Sequence, residues 1–264
     1  MKWFAFLLIS TIPALAQDGG TMPSELPPGL VSVELLPGWT LPDGHRMVAL
    51  SVVLEPGWKT YWRSPGDTGV PPQFDWQGSG NLASVAIHWP RPEVIESGGE
   101  RTLGYHDRLI LPIEAVPAQP DQQVELRAVI DFGICEEICV PVQVTLAAPP
   151  AHHAPDPAIE AALAETPELS SEKPSCRIDE ISDGLRVTAE FKDHEAPEVA
   201  MELDDDDVWV SQPELSQAGH VLTAKADFID GTGRPFPLDA AHLRLTLIGP
   251  DSATEFMGCR PVLD

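Results

Sequence analysis

Short stretches of alternating apolar residues, set off by Pro, Gly and Asp, run through almost the whole chain, and almost none of it carries helical periodicity. After a Pro/Gly-rich lead-in, Val31, Val33 and Leu35 alternate with polar positions, and 46–54 is a longer apolar run closed by Pro56-Gly57. Runs at 83–89, 109–116, 124–132 and 141–146 follow at short spacing. Period-two apolar patterning bounded by turn residues is the signal of half-buried strands, and many short strands in sequence predict an antiparallel sandwich. The pattern breaks between 149 and 172, where Pro149-Pro150, His152-His153, Pro155 and Pro157 form a linker. Within it, 158–165 reads as a short helix with Pro157 near its start and Ile159 and Leu163 on one face. Strand signals then return at 176–181 and 185–191, around a Ser182-Asp183-Gly184 hairpin turn, and continue at 199–203, 209, 221–228, 243–248 and 254–259. The expected fold class is all-β, with two antiparallel β-sandwich domains joined by a Pro-rich linker carrying a short helix. The expected boundaries are 31–148 for the first sandwich, 149–172 for the linker and 173–264 for the second.

The start of the chain predicts export. Lys2 precedes an apolar run at 3–9, and Pro13-Ala14-Leu15-Ala16 supplies an A-x-A cleavage site, so 1–16 reads as a secretory signal peptide and 17–30 as a flexible lead-in. The apolar run is too short to span a bilayer, and the protein is expected not to be membrane-spanning. The 264 residues carry 16 Lys+Arg against 41 Asp+Glu, a formal charge of −25. Such a chain presents no basic face for phosphate, which argues against nucleic acid, and it is repelled by anionic membrane surfaces. Hydrophobic residues make up 43% of it, enough to bury a core.

Four cysteines divide into two unlike pairs. Cys135 and Cys139 lie four apart, within Asp131-Phe132-Gly133-Ile134-Cys135-Glu136-Glu137-Ile138-Cys139-Val140-Pro141. On an extended strand their Cα atoms would stand about 13 Å apart, whereas a disulfide needs about 4.4–6.8 Å. Pairing therefore requires Gly133 to Cys139 to turn, and Gly133 and Pro141 are suitable punctuation. A ring this small adds little chain-entropy stabilisation and is a poor staple. Three readings stand: a redox-active pair, towards which the physical argument leans; a structural hairpin disulfide; and half of a metal site completed by His88 and His106. The carboxylates of Glu136 and Glu137 disfavour an adjacent thiolate, which suits exchange driven by a partner with its own activated thiol. Cys176 and Cys259 sit 83 positions apart, near the two ends of the second sandwich, and read as a structural disulfide. The run 204–207 reads as a solvated acidic turn, since it lacks a full calcium loop. Trp58, Trp62, Trp76 and Trp89 read mainly as core.

Three motifs together resemble the DsbD N-terminal domain family, with its related ScsB-like members. They are Pro56-Gly57-Trp58-Lys59-Thr60-Tyr61-Trp62-Arg63, Gly104-Tyr105-His106-Asp107-Arg108-Leu109-Ile110-Leu111-Pro112, and Gly133-Ile134-Cys135 through Cys139-Val140-Pro141. The resemblance covers roughly 31–148 and implies an immunoglobulin-like sandwich with both cysteines at one end. It implies an electron relay: a membrane-embedded thiol reductant of the DsbD or CcdA kind reduces the Cys135–Cys139 disulfide, and the dithiol reduces periplasmic thioredoxin-fold proteins, cytochrome c biogenesis being one destination. By motif, Cys135 and Cys139 are the exchanging pair, with Cys139 the attacking one. Tyr61 and Trp62 match aromatic positions near the family's site, and Tyr105, Asp107 and Phe132 are supporting. No cofactor and no metal are implied. This chain departs from the family in having three residues between its cysteines where the DsbD version has five. Its stretch 95–99 also lacks the aromatic cap that shields the family's site, so either the cover comes from elsewhere, as from Trp58 or Tyr61, or the disulfide is less protected. Two rivals remain: a non-catalytic immunoglobulin-like binding module with structural disulfides, and a copper-handling protein, suggested by the copper-tolerance association of ScsB-like members.

Overall fold

The computed structural model describes residues 26–97, 99–204 and 207–262. The expected signal peptide and most of the lead-in lie outside the described residues, as do Gly98 and, from the acidic run, Asp205 and Asp206. In chain order the first half contributes β1 (Leu30–Thr40), β2 (Arg46–Leu54), β3 (Lys59–Tyr61), β4 (Gln73–Asp75), β5 (Leu82–Ile87), β6 (Glu93–Ser97), β7 (Glu100–His106), β8 (Arg108–Pro117), β9 (Arg127–Cys135) and β10 (Cys139–Ala147). One sheet runs β1-β2-β8-β5; the other runs β10-β9-β3-β7-β6, with β4 added beside β9. Pairing within both is antiparallel. Inward side chains from both sheets meet in one core, among them Val48, Leu50, Leu111 and Ile113 from the first and Ile130, Ile134 and Val144 from the second. Each such burial removes enough apolar surface to stabilise the fold by about 1.5–3 kcal/mol.

The linker region holds α1 (Pro157–Ala164). Asp156 caps it, its Oδ1 accepting from Ala158 N at 2.8 Å, and Pro157 occupies the first turn, where its missing N–H costs nothing. Ile159 is fully buried against Trp39, Met47 and Ala49, on the outer face of the β1-β2-β8-β5 sheet. The second half contributes β11 (Glu168–Ser170), β12 (Ser175–Glu180), β13 (Leu185–Lys192), β14 (Glu198–Leu203), β15 (Trp209–Val210), β16 (Glu214–Ala218), β17 (Val221–Ile229), a single 3-10 turn at Ala240–His242, β18 (Leu243–Ile248), β19 (Ala253–Met257) and β20 (Arg260–Pro261). These form a sheet β11-β19-β18-β14 and a sheet β15-β17-β13-β12-β20, with β16 beside β17. A second core of Val187, Phe191, Phe228, Leu245 and Phe256 lies among them. The fold is all-β with a single helix among the described residues.

The structure adds strands that period-two reading did not find. β3 and β4 have three residues each, too few to show alternation, and β6 is an edge strand with only Ile95 buried. The run expected from 124 pairs as β9 only from Arg127; Val124 and Leu126 are buried, but in the segment where Glu125 bridges to Gly80. Inside the stretch expected as linker, β11 pairs in parallel with β19.

The two halves are joined by ion pairs as well as by chain. The Arg63 guanidinium, just after β3, reaches Glu202 on β14 at 3.0 Å and Glu255 on β19 at 2.5 Å, and lies 4.2 Å from the Trp62 ring. Arg101 on β7 meets Glu198 on β14 at 2.7 Å. Ala200 and Ile248 pack with the first core. Paired charges and hydrogen bonds at such a contact offset the cost of removing them from water, so the contact orients one half on the other.

Candidate functional site

The β9–β10 hairpin carries the cysteines at its tip. Ala128, Ile130, Phe132 and Ile134 on β9 and Val142, Val144 and Leu146 on β10 face the core at period two, and this fixes the register. In that register Cys135 stands directly opposite Cys139, with Cα atoms 4.2 Å apart and a disulfide between them. Glu136, Glu137 and Ile138 form the three-residue connection, all exposed. The hairpin supplies the turn that the spacing requires.

The two sulfurs have different surroundings. Cys135 is 2% exposed, whereas Cys139 is on the surface. β3 lies beside β9, pairing Lys59 with Cys135 and Thr60 with Ile134, and this brings Tyr61 over the disulfide. Tyr61 Oη is 2.9 Å from Cys135 Sγ and 3.6 Å from Cys139 Sγ. A disulfide sulfur has no proton to give, so the phenol donates. Burial, and then the nearby Glu100 carboxylate, raise the Tyr61 phenol above its ordinary value, so it stays a donor. Gly133 makes room: a Cβ there would stand 3.3 Å from the Tyr61 ring.

An open cleft of about 530 Å³ adjoins the disulfide. Val70 and Pro71, from the loop between β3 and β4, form one wall, and Val140 and Pro141, on β10, form the other. Ile138 is 73% exposed between the cysteines and Val70 is 57% exposed beside them. An apolar rim around an accessible sulfur is a surface suited to another protein.

The structure brings Tyr61 to the cysteines and sends the other sequence candidates elsewhere; Phe132, on the core face of β9, is buried in the first core and only edges the cleft. Trp62, the next residue along from Tyr61, faces the opposite way and is fully buried in the first core. Tyr105 is buried, its Oη donating to Pro90 O at 2.7 Å, and burial raises its phenol well above the ordinary value. Asp107 makes the turn between β7 and β8 at φ +57°, a left-handed conformation that Asp tolerates better than most residues. Trp58 packs over Gly29 rather than over the disulfide. His88 and His106 hydrogen-bond to Glu114 and Glu93. Val70 and Pro71 carry no sequence signal of their role, because only the fold brings their loop to β9. Cys176, at the start of β12, is bonded to Cys259, just before β20; both are buried, and β12 and β20 pair at the same point.

This sandwich, with a disulfide at a hairpin tip, defines the class. Residues 32–151 match the family described as "Thiol:disulfide interchange protein DsbD, N-terminal", and they form a DsbD N-terminal-like domain. Among solved structures, the N-terminal periplasmic domain of ScsB from Proteus mirabilis is similar, with a TM-score of 0.62 and 24% sequence identity over 83% of this chain and 89% of that one. A likeness of that extent takes in the second half as well as residues 32–151, and it shows the fold. No curated protein sequence matches the chain. Among the described residues, no helix is long and apolar enough to cross a membrane.

Proposed function

We propose that the protein is a periplasmic thiol-disulfide exchange protein, relaying electrons from a membrane-embedded reductant to thioredoxin-fold partners through Cys135 and Cys139. The observation that carries this reading is the asymmetry of the pair: Cys139 open to solvent, Cys135 buried under the Tyr61 hydroxyl. An incoming thiolate attacks the exposed Cys139 sulfur, the Cys135–Cys139 bond breaks, and Cys135 leaves as a thiolate beside the Tyr61 proton. The partner's second thiolate then attacks the mixed disulfide, leaving the dithiol here and a disulfide in the partner; two electrons have moved. In the forward transfer Cys139 attacks the client disulfide and Cys135 resolves the intermediate, leaving the client reduced. Cys139 is therefore both the sulfur attacked during reduction and the sulfur that attacks the client, in keeping with the role of the second cysteine in the family resembled.

The cleft walls and Ile138 are the docking surface for these partners, and the acidic charge favours partners with basic rims. Cys176–Cys259 holds the second sandwich and takes no part in exchange. The test is equilibration in graded thiol/disulfide buffers followed by maleimide mass-tagging. Cys135 and Cys139 should convert together while Cys176 and Cys259 resist. If Cys135–Cys139 stays oxidised under strong reduction in the folded state, the relay is wrong and the structural-disulfide reading takes its place.

A further inference from the structure

The outer face of the β1-β2-β8-β5 sheet holds a side-chain cluster that the redox chemistry does not use. Asp43 and His45 lie in the connection from β1 to β2, Glu114 stands on β8, and His88 follows β5. The connection is fixed from within: Leu41 N donates to His45 O at 2.8 Å, and Asp43 Oδ1 accepts from His45 N at 3.0 Å. β8 lies between β2 and β5, so Glu114 reaches a histidine on either side. His45 Nδ1 is 2.6 Å from Glu114 Oε1 and 3.6 Å from Asp43 Oδ2, and one donor atom from each of Asp43, His45 and Glu114 lies within 4.8 Å of the others. Among the described residues, no other group of three His, Cys, Asp or Glu side chains converges this way.

We infer that Asp43, His45 and Glu114 bind a divalent first-row transition ion such as zinc, with His88 as a positioning residue for Glu114. Bond lengths of about 2.0–2.2 Å in a tetrahedral site put ligand atoms about 3.3–3.6 Å apart. The present separations, from 2.6 Å up to at most 4.8 Å, bracket that spacing. An imidazole beside two carboxylates selects zinc-like ions over magnesium and calcium, which prefer oxygen alone. His88 Nε2 lies 3.0 Å from Glu114 Oε2, leaving Oε1 for the ion; a hydrogen bond from a second residue to a ligating carboxylate is how such ligands are usually oriented. Two carboxylates beside one imidazole leave net negative charge whichever form the imidazole takes, in a chain of formal charge −25 that attracts cations. The neighbouring cation does not cancel it: the buried Arg46 guanidinium turns away, donating to Val124 O, Pro37 O and Pro149 O. Asp43 is 59% exposed, so the fourth position opens to water.

The test is a zinc titration of the untagged full chain, with both disulfides oxidised, against a chromophoric chelator. One equivalent should bind, with X-ray absorption showing nitrogen and oxygen neighbours and no sulfur. Glu114→Gln and His45→Ala should weaken binding more than a hundredfold, and His88→Gln by about tenfold to a hundredfold. Excess magnesium should not compete. Circular dichroism and the Cys135–Cys139 redox midpoint of each variant report whether the fold is kept; if His45→Ala fails to fold, the near-isosteric Glu114→Gln and His88→Gln carry the test. No bound equivalent, equal binding by folded variants, or sulfur neighbours would overturn the assignment and leave these four residues a proton-bridged network only.

Discussion

Tyr61 Oη stands 2.9 Å from Cys135 Sγ, nearer than to Cys139 Sγ, so one hydroxyl distinguishes the two sulfurs of a single disulfide. In the reduced protein this donor favours a Cys135 thiolate, and a hydrogen bond to a charged group contributes about 1.5–3 kcal/mol. Tyr61→Phe keeps the ring over the disulfide and removes only the donor. The reduced form, with its Cys135 thiolate, loses more than the disulfide does, so reduction becomes harder. We expect the midpoint to fall by roughly 30 mV, the equivalent of about 1.4 kcal/mol for two electrons. Equilibration against glutathione buffers measures it; an unchanged or higher midpoint contradicts the role given to the hydroxyl.

The different exposure of the cysteines predicts which single mutant traps partners. Cys135→Ser leaves the accessible Cys139 thiol without its resolving partner, so mixed disulfides with a thioredoxin-fold protein should accumulate on non-reducing gels. Cys139→Ser leaves only a buried thiol and should trap little. The reverse pattern would reassign the attacking sulfur.

Cys176–Cys259 closes a loop of 83 positions between two buried residues. In the chain-entropy picture, removing it by Cys176→Ala with Cys259→Ala costs about 4–5 kcal/mol. Urea unfolding of the second half should move to a lower midpoint, while the redox midpoint of Cys135–Cys139 stays in place. A shift in that midpoint would couple the clasp to the exchange site.

Burial raises the Glu198 carboxyl above its ordinary 4.5, and Arg101 pulls it back down. Arg101→Ala leaves that carboxylate 2% exposed without its ion-pair partner. At neutral pH this should destabilise the contact between the halves by about 2–3 kcal/mol, below the usual range for a fully buried pair because Arg101 is itself partly exposed. A carboxyl raised in the folded state binds its proton more tightly folded than unfolded. The penalty is therefore complete above its folded value and fades as pH falls towards 4.5. Denaturation of variant and parent at pH 7 and near pH 5 (roughly the top of the acidic window) should show the gap narrowing. A gap that widens in acid would mean Glu198 is not the group exposed.

Much of the fold was readable because long strands advertise themselves, by a period where one face is buried and by a continuous apolar run where both are, as in β2 and β18. β2 reads directly from 46–54, β18 from 243–248, and the Ser182-Asp183-Gly184 turn joins β12 to β13 as its residues suggest. Short strands such as β3 do not read this way, because three residues cannot display a period. The aromatic pair shows the same limit. Tyr61 and Trp62 are equal candidates in the sequence, and the pleat of β3 sends one to the sulfurs and the other to the core.

The sequence by itself determined the all-β class, the resemblance to the DsbD N-terminal domain family and the condition that Cys135 and Cys139 meet only across a turn. These follow from local spacing and composition, which the chain carries wherever it goes. Tertiary structure decided which sulfur is buried, which hydroxyl reaches it, and that Val70 and Pro71 wall the cleft. It also gathered Asp43, His45, His88 and Glu114 from β1–β2, β5 and β8 onto one face. Such relations depend on strand order and register, and those are settled only when both faces of each sheet compete for the same core.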